Sequence, residues 1–360
     1  MNLRIALAVI FTAACTDYVR AEPAGQFMVE LTLRGQKIEG TPLCWDPQQV
    51  HLLGRDGRLW QFAPDEAGHF RQTADRFRGY SPSELRAALL RELGQEFEVS
   101  GTSHYLVAHP RGQRDKWAQR LEDLYRSFVH YFSVRGFQLQ QPPLLLVGVV
   151  CRSQGEFARH AAQQGTAAPS GVLGYYALDS NRIMLYDMGG KEGSARWQEN
   201  ASVVIHEATH QTAFNTAVHS RYSPPPVWVA EGLAMLFEAP GVYDSRYHTQ
   251  QSERINHERL AVFQKLLRPR HRPELLSAMV ASDEFFHVSP GAAYAEAWAL
   301  SFFLVETTPG KYAKYLAVTA GHPPFHEVTA DERIADFTAV FGSDWRMLEA
   351  HFLRFMAGIK

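Results

Sequence analysis

The chain has 360 residues, 46% of them hydrophobic and 12% aromatic, and a formal net charge of -2, with a pI near 6.8. That length supports a large core spread over two or three lobes, and the lack of a Lys/Arg block excludes the electrostatic footprint of a nucleic-acid binder. Neutral, small or peptidic partners fit this composition better.

The N-terminus reads as an address. MNLR supplies a positive start, IALAVIFTAAC a short apolar run, and Val19-Arg20-Ala21 small residues at cleavage spacing before Glu22. Residues 1–21 are therefore expected to be a signal peptide and to place the mature protein in the periplasm or outside the cell. The run is too short to span a bilayer, so no transmembrane span is expected in the mature chain. Thr12-Ala13-Ala14-Cys15 is a rival lipoprotein box, but it lacks the leucine expected ahead of the small residues. Cleavage after Ala21 leaves Cys44 and Cys151, which either pair or act as small buried hydrophobes; the sequence holds the two readings even.

Residues 22–78 read as a small β module: Val29, Leu31 and Leu33 alternate with polar residues, and VHLLGRDGRLWQF folds back at Arg55-Asp56-Gly57. A linker helix is expected over 79–96, with Ser81 or Ser83 as N-cap and Leu85, Leu89, Leu90 and Leu93 on one face. Residues 97–190 give a mixed α/β lobe. EFEVSGTSHYLVAHP turns near Gly101, and Trp117, Leu121, Leu124, Tyr125, Phe128 and Phe132 recur at helical spacing. PLLLVGVV reads as a buried strand, SQGEFARHAAQQ as a helix, and GVLGYYALDSNRIMLYDM as a hairpin turning near Asp179-Ser180-Asn181. After Gly189-Gly190, residues 191–360 read as helical, with elements over 196–217, 227–238, 252–268, 291–306, 310–319 and 345–357 and breaks at Pro224-Pro225-Pro226 and Pro269. The stretch from His219 to Pro226 is either a cleft wall or a plain connector.

VVIHEATHQTAF carries the chemistry. On a helix, His206 and His210 lie one turn apart on one face and can aim imidazole nitrogens at one point. Glu207, rotated about 100° from His206, stands beside such a point, where a general base for a metal-bound water belongs. With 16 histidines in the chain, a chance His-Glu-x-x-His has a probability of about one in twenty, so a third ligand is required. The metzincin pattern would need glycine at position 213 and histidine at 216, but Ala213 and Thr216 stand there. Glu231 on the next helical segment, PPVWVAEGLAMLFE, is the other source.

At these residues the chain resembles the gluzincin metallopeptidases, the group that includes thermolysin and the aminopeptidase-N-like enzymes. HEATH matches their HExxH, and Trp228 to Ala234 is similar to their W-x-x-E-G-x-A segment. It most resembles a set of bacterial metallopeptidases carried as a domain of unknown function, in which HExxHQ, a proline-rich loop and W-x-x-E-G-x-A follow in this order. The resemblance covers about residues 97–357. It implies an α+β fold, with the β module, a mixed sheet lobe and a helical lobe, and a Zn2+ site between the two lobes. It further implies that His206, His210 and Glu231 bind zinc, that Glu207 is the general base, and that a helical-lobe residue donates to the oxyanion. Tyr294 in AAYAEAWALSFFLVE is the candidate for that donor, because a phenol can hydrogen-bond a developing oxyanion; a core tyrosine is the plainer alternative.

Glu238, seven residues past Glu231, reads either as a support for a ligand histidine or as an exposed glutamate. Gln211 and Asn215 brace the site or simply end the helix, and His219, His248, His257 and His287 are expected to be solvated. One departure matters. The G-x-M-E-N glutamate that binds a substrate amino end in the aminopeptidase branch has no counterpart in GVLGYYALDSN, which favours an endopeptidase; the hairpin there is still a candidate edge for an extended peptide. The leading expectation is a zinc metallopeptidase acting on peptide or protein substrates, and the alternative is a non-catalytic binding or assembly protein on a peptidase-like scaffold.

Overall fold

A computed structural model of the chain describes residues 27–112, 116–163, 172–187, 195–267 and 274–359. The expected signal peptide, Cys15, Gly189-Gly190 and Pro269 lie outside the described residues. The fold is α+β, with two five-stranded sheets and a large helical part. It divides into two compact units, the first comprising the described residues up to Ala118 with 143–163 and Tyr175–Met184, the second Gln119–Pro142, 172–174 and the described residues from Leu185 onward.

In the first unit, β1 (Met28–Leu33), β2 (Gln36–Trp45), β3 (Val50–Gly54), β4 (Leu59–Phe62) and β5 (Ala67–Ala74) form an antiparallel sheet in the order β4-β3-β2-β1-β5. The period-2 pattern turns Val29, Leu31 and Leu33 to one face, where they meet Ile38, Val50, Leu52 and Phe62. The turn at Arg55-Asp56-Gly57 forms as expected, with Gly57 at φ +87, a conformation glycine adopts without strain. The second sheet runs β6-β7-β8-β10-β9, built from β6 (Phe97–Gly101), β7 (Tyr105–Pro110), β8 (Leu146–Cys151), β9 (Gly174–Ala177) and β10 (Arg182–Tyr186). β8 runs parallel to β7 and is buried throughout, which explains its unbroken apolar run.

The helix Pro82–Leu93 starts at Ser81, whose hydroxyl accepts from the Glu84 N–H while the Glu84 carboxylate accepts from the Ser81 N–H. Its Glu92 pairs at 2.7 Å with Arg182, which is 3% exposed and also lies 3.7 Å from Asp56. Asp179 O accepts from Leu59 N–H at 2.6 Å, so the β9–β10 turn is bonded to the start of β4. No disulfide joins Cys44 to Cys151. Cys151 is fully buried at the end of β8, and burial pushes its thiol up to about 12. The small-hydrophobe reading is the one that fits it.

The second unit is built around the helices Ala195–Asn215, Val227–Phe237 and Pro290–Thr307, called here the histidine, glutamate and tyrosine helices. The glutamate helix is buried at eight of its eleven positions, which is why its sequence is apolar on every side and shows no amphipathic stripe. Trp228, Leu233 and Phe237 join Trp298, Leu300 and Phe303 of the tyrosine helix in one core, and Phe237 stacks on Phe128 at 4.9 Å.

Two expectations for this unit need correction. The single helix expected over 252–268 is a 3-10 turn at Gln251–Arg254, an α-helix at His257–Val262 and a π-helical turn at Phe263–Leu267. Asn256 breaks it, because its side chain accepts from the Arg259 N–H and caps a new helix there. A helix at Ala330–Phe341 was not foreseen, although Thr329 and Glu332 form a capping box at its start. No helix among the described residues is long and apolar enough to cross a membrane.

The packing of the glutamate helix on the tyrosine helix depends on Gly232, since a Cβ there would fall 2.7 Å from the Ala297 carbonyl oxygen and closer still to Ser301 Oγ. Gly232→Ala is expected to destabilise the fold by about 1–3 kcal/mol, read as a lowered urea midpoint at constant m-value. A midpoint equal to wild type would show that the two helices separate freely. Because burial holds Cys151 protonated, iodoacetamide at pH 8 should label it only after unfolding, as mapped by peptide mass; labelling of the folded protein would contradict its placement.

Candidate metal centre

The histidine helix places His206 and His210 one turn apart, and their Nε2 atoms approach to 3.1 Å. Glu231, near the middle of the glutamate helix, turns one oxygen to each: Oε2 lies 3.2 Å from His206 Nε2 and Oε1 lies 3.5 Å from His210 Nε2. All three candidate ligand atoms lie within 4.8 Å of one another, a group that could hold a metal ion. A tetrahedral ion with donors at about 2.0–2.1 Å separates those donors by about 3.4 Å, and both the Nε2–Nε2 distance and the distance from each Nε2 to its own Glu231 oxygen are close to that value. Two imidazoles and a carboxylate also form a donor set suited to Zn2+. The residues therefore fit such an ion, and all three belong to the second unit.

The orientation of His206 is set from behind. Its Nδ1 lies 2.8 Å from Glu238 Oε1, and a carboxylate only accepts, so Nδ1 carries the hydrogen and Nε2 is left facing the other donors. Glu238 is itself held at Oε2 by Asn256 Nδ2 at 2.6 Å, and Asn256 Nδ2 also donates to the Met235 carbonyl at 3.2 Å. The exposed-glutamate reading of Glu238 is thus corrected: its side chain is 12% exposed and hydrogen-bonded on both oxygens. The spacing of seven residues from Glu231 was the available signal. The partner Asn256 carried none, because it arrives from a separate segment.

Asp283 was missed as well. The glutamate helix begins at Pro226, which offers no side-chain cap, and Asp283 Oδ1 accepts from the Val227 N–H at 3.0 Å instead. The other oxygen of Asp283 takes Arg333 at 2.9 Å. A cap supplied from 56 residues away fixes the start of the helix that carries Glu231.

The electrostatics of the donors are mutual. Burial works against charge on His206, yet the hydrogen bonds it donates to the Glu231 and Glu238 carboxylates hold its pKa well above the ordinary value. Burial would raise Glu231, but the His210 and His206 imidazoles pull it well below the usual carboxylate range. Glu207 is partly buried and near enough for its charge to act on both His206 and Tyr294. Tyr294 packs edge-on against Phe286 at 5.4 Å. Burial first, then the charges of Glu231 and Glu207, push its hydroxyl up to about 12, so it remains a hydrogen-bond donor at neutral pH.

The solvated reading of His219 fails. It is 1% exposed, packs on Phe214 at 5.2 Å, and burial with the adjacent His210 holds it at about 3 and so neutral. It folds back because its N–H donates to the Ala213 carbonyl at 3.0 Å, just after Ala217 takes φ +63. His257 and His287 are exposed, and His248 pairs with Glu253 at 2.9 Å. Gln211 is fully buried, and Asn215 Nδ2 donates to the Gln211 carbonyl at 2.8 Å, closing the end of the histidine helix.

A family model described as "Protein of unknown function (DUF1570)" matches residues 200–326, a span that contains all three candidate ligands. No curated protein matches the chain. Among solved structures, an M1 zinc metallopeptidase mutant from Deinococcus radiodurans aligns at a TM-score of 0.42 and 13% identity, covering 74% of this chain and 52% of that one. The mutant bound to a Tyr-Ser-Ala substrate aligns at 0.41 and 14%, with the same coverage. A two-domain M1 zinc metallopeptidase mutant bound to L-arginine aligns at 0.40 and 12%, covering 92% of this chain and 85% of that one. The chain thus spans about half the length of the Deinococcus structures it matches.

The support of His206 by Glu238 predicts that Glu238→Ala lowers Zn2+ affinity by about 10- to 100-fold, measured by competition with a chromophoric chelator. Undiminished affinity would mean that the hydrogen bond does not orient the imidazole.

Proposed function

We propose that this chain is a secreted or periplasmic zinc-dependent metallopeptidase that hydrolyses internal peptide bonds, with His206, His210 and Glu231 as metal ligands, Glu207 as general base and Tyr294 as oxyanion donor. The observation that carries this reading is the convergence of His206, His210 and Glu231 on one another, with Glu207 near enough for its charge to act on His206. Three protein donors would leave a fourth position open, as a catalytic metal site does and a closed structural site does not.

Zinc, when bound, would supply Lewis-acid polarisation of the scissile carbonyl and acidify the attacking water. The chain supplies the rest. The Glu207 carboxylate accepts the proton from water and passes it to the leaving amine. The Tyr294 hydroxyl, kept protonated by burial and the neighbouring carboxylates, donates to the oxyanion as charge develops there. Glu238 and Asn256 hold His206 still while this happens, so its ring need not reorganise. An endopeptidase is favoured because segment 171–181 has no glutamate to hold a substrate amino group.

Purified protein should contain about one zinc per chain and cut a peptide library in a chelator-sensitive manner. Glu207→Ala should keep the metal and lose activity by about 100- to 10,000-fold. Full peptidase activity in that variant would remove the mechanism, and protein with neither zinc nor cleavage would favour the non-catalytic scaffold instead.

A further inference from the structure

Arg259 lies on the short helix His257–Val262 of the second unit. The place of its backbone relative to the metal centre is set by an unbroken chain of hydrogen bonds: His206 to Glu238 at 2.8 Å, Glu238 to Asn256 at 2.6 Å, and Asn256 Oδ1 to the Arg259 N–H at 3.2 Å. Its helix packs against the tyrosine helix, and its charge acts on Tyr294, the residue that also feels Glu231 and Glu207.

One nitrogen of the guanidinium is left unsatisfied. Among the described residues no carboxylate pairs with Arg259, and its Nε is buried with no hydrogen-bond partner. Arg254, five residues earlier, shows what satisfaction looks like: it is held by both oxygens of Glu306 at 2.9 and 2.7 Å. A guanidinium cannot shed its charge at ordinary pH, and leaving a buried donor unmade is costly. Such a group beside a peptide-cleaving centre is therefore poised for an anion that arrives with the substrate, and a carboxylate matches its planar fork.

We infer that Arg259 is a specificity-determining residue that binds a carboxylate of the peptide substrate, either the free C-terminus or an Asp/Glu side chain close to the scissile bond. This rests on the peptidase reading above and deepens it. The substrate class becomes peptides with a carboxylate near the cut, and the polarity of recognition reverses relative to an enzyme that anchors an amino end.

The test uses the full mature protein loaded with zinc and matched N-acetyl peptides. One pair differs only in a C-terminal acid or amide, and a second set carries Glu or Gln at each position around the cut. Wild type should favour one acidic member over its neutral match by about 10- to 100-fold in kcat/KM, and the pair that shows the preference tells a C-terminus from a side chain. Arg259→Gln should bring that ratio close to one, and Arg259→Lys should restore part of it. Binding of the same peptides to the Glu207→Ala protein, followed by calorimetry, should show the same ratio without turnover. Cleavage with no acidic preference, or a preference that survives in Arg259→Gln, overturns this inference and leaves the peptidase reading standing. Zinc-loaded wild type that neither cuts nor binds any peptide overturns the peptidase reading, and the inference falls with it.

Discussion

The hydrogen bond between His206 Nδ1 and Glu238 Oε1 is the constraint on which the candidate site depends. It does two things at once. It fixes the tautomer of His206, so that Nε2 is the atom presented to His210 and Glu231. It also bonds the histidine helix to the C-terminal end of the glutamate helix, so the distance between the two donor-bearing elements is not left to apolar packing alone. Asn256 extends the same chain to a third segment. A ring free to turn about its Cβ–Cγ bond would carry Nε2 away from Glu231, and ligand spacing in the sequence would then guarantee nothing about convergence.

Holding a buried, mostly apolar helix in that position needs more than one hydrogen bond. The glutamate helix approaches the tyrosine helix at Gly232, where no side chain intervenes before Ser301 and the Ala297 carbonyl. The neighbour of the candidate ligand Glu231 is thus a residue whose lack of a Cβ sets the depth at which that side chain sits. At the other end, Asp283 caps a helix whose own N-cap is proline. Depth, start and end are each set by a contact from a different part of the chain, and the same tyrosine helix that receives Gly232 carries Tyr294.

These facts explain which parts of the site could be read from the sequence. His206, Glu207 and His210 obey a local rule, the helical repeat, and so are visible in five consecutive residues. Glu231 is visible only because its surroundings repeat a known local pattern. Glu238 was within reach by periodicity, but whether it faced solvent or a histidine depended on how two helices pack. Asn256 and Asp283 were out of reach, since what they do depends on partners 18 and 56 residues away. The sheets were legible for the opposite reason: alternation and turn chemistry at Arg55-Asp56-Gly57 are local. The helix drawn through 252–268 failed because apolar spacing continued across Asn256 while its side chain competed for the backbone. His219 was misjudged because a polar residue in a loop is usually solvated, and here the backbone folded it under the end of the histidine helix.

The charges of the site give a physical reason for a metal that does not depend on resemblance. Glu231 and Glu238 reach the two imidazoles with Glu207 close enough to act on His206, and burial penalises the charge on Glu231. Burial disfavours a charge on His206, but its hydrogen bonds to Glu231 and Glu238 raise its pKa. A divalent ion and a charging proton on His206 are alternatives at the same place, because a ligand imidazole must be neutral. Exchange of one for the other releases a proton and neutralises Glu231 more fully than a shared hydrogen could. In the proposed reading a divalent ion would supply more charge than that proton, and Arg259, whose Nε has no partner among the described residues, is the complementary case: a cation for which the fold offers no carboxylate.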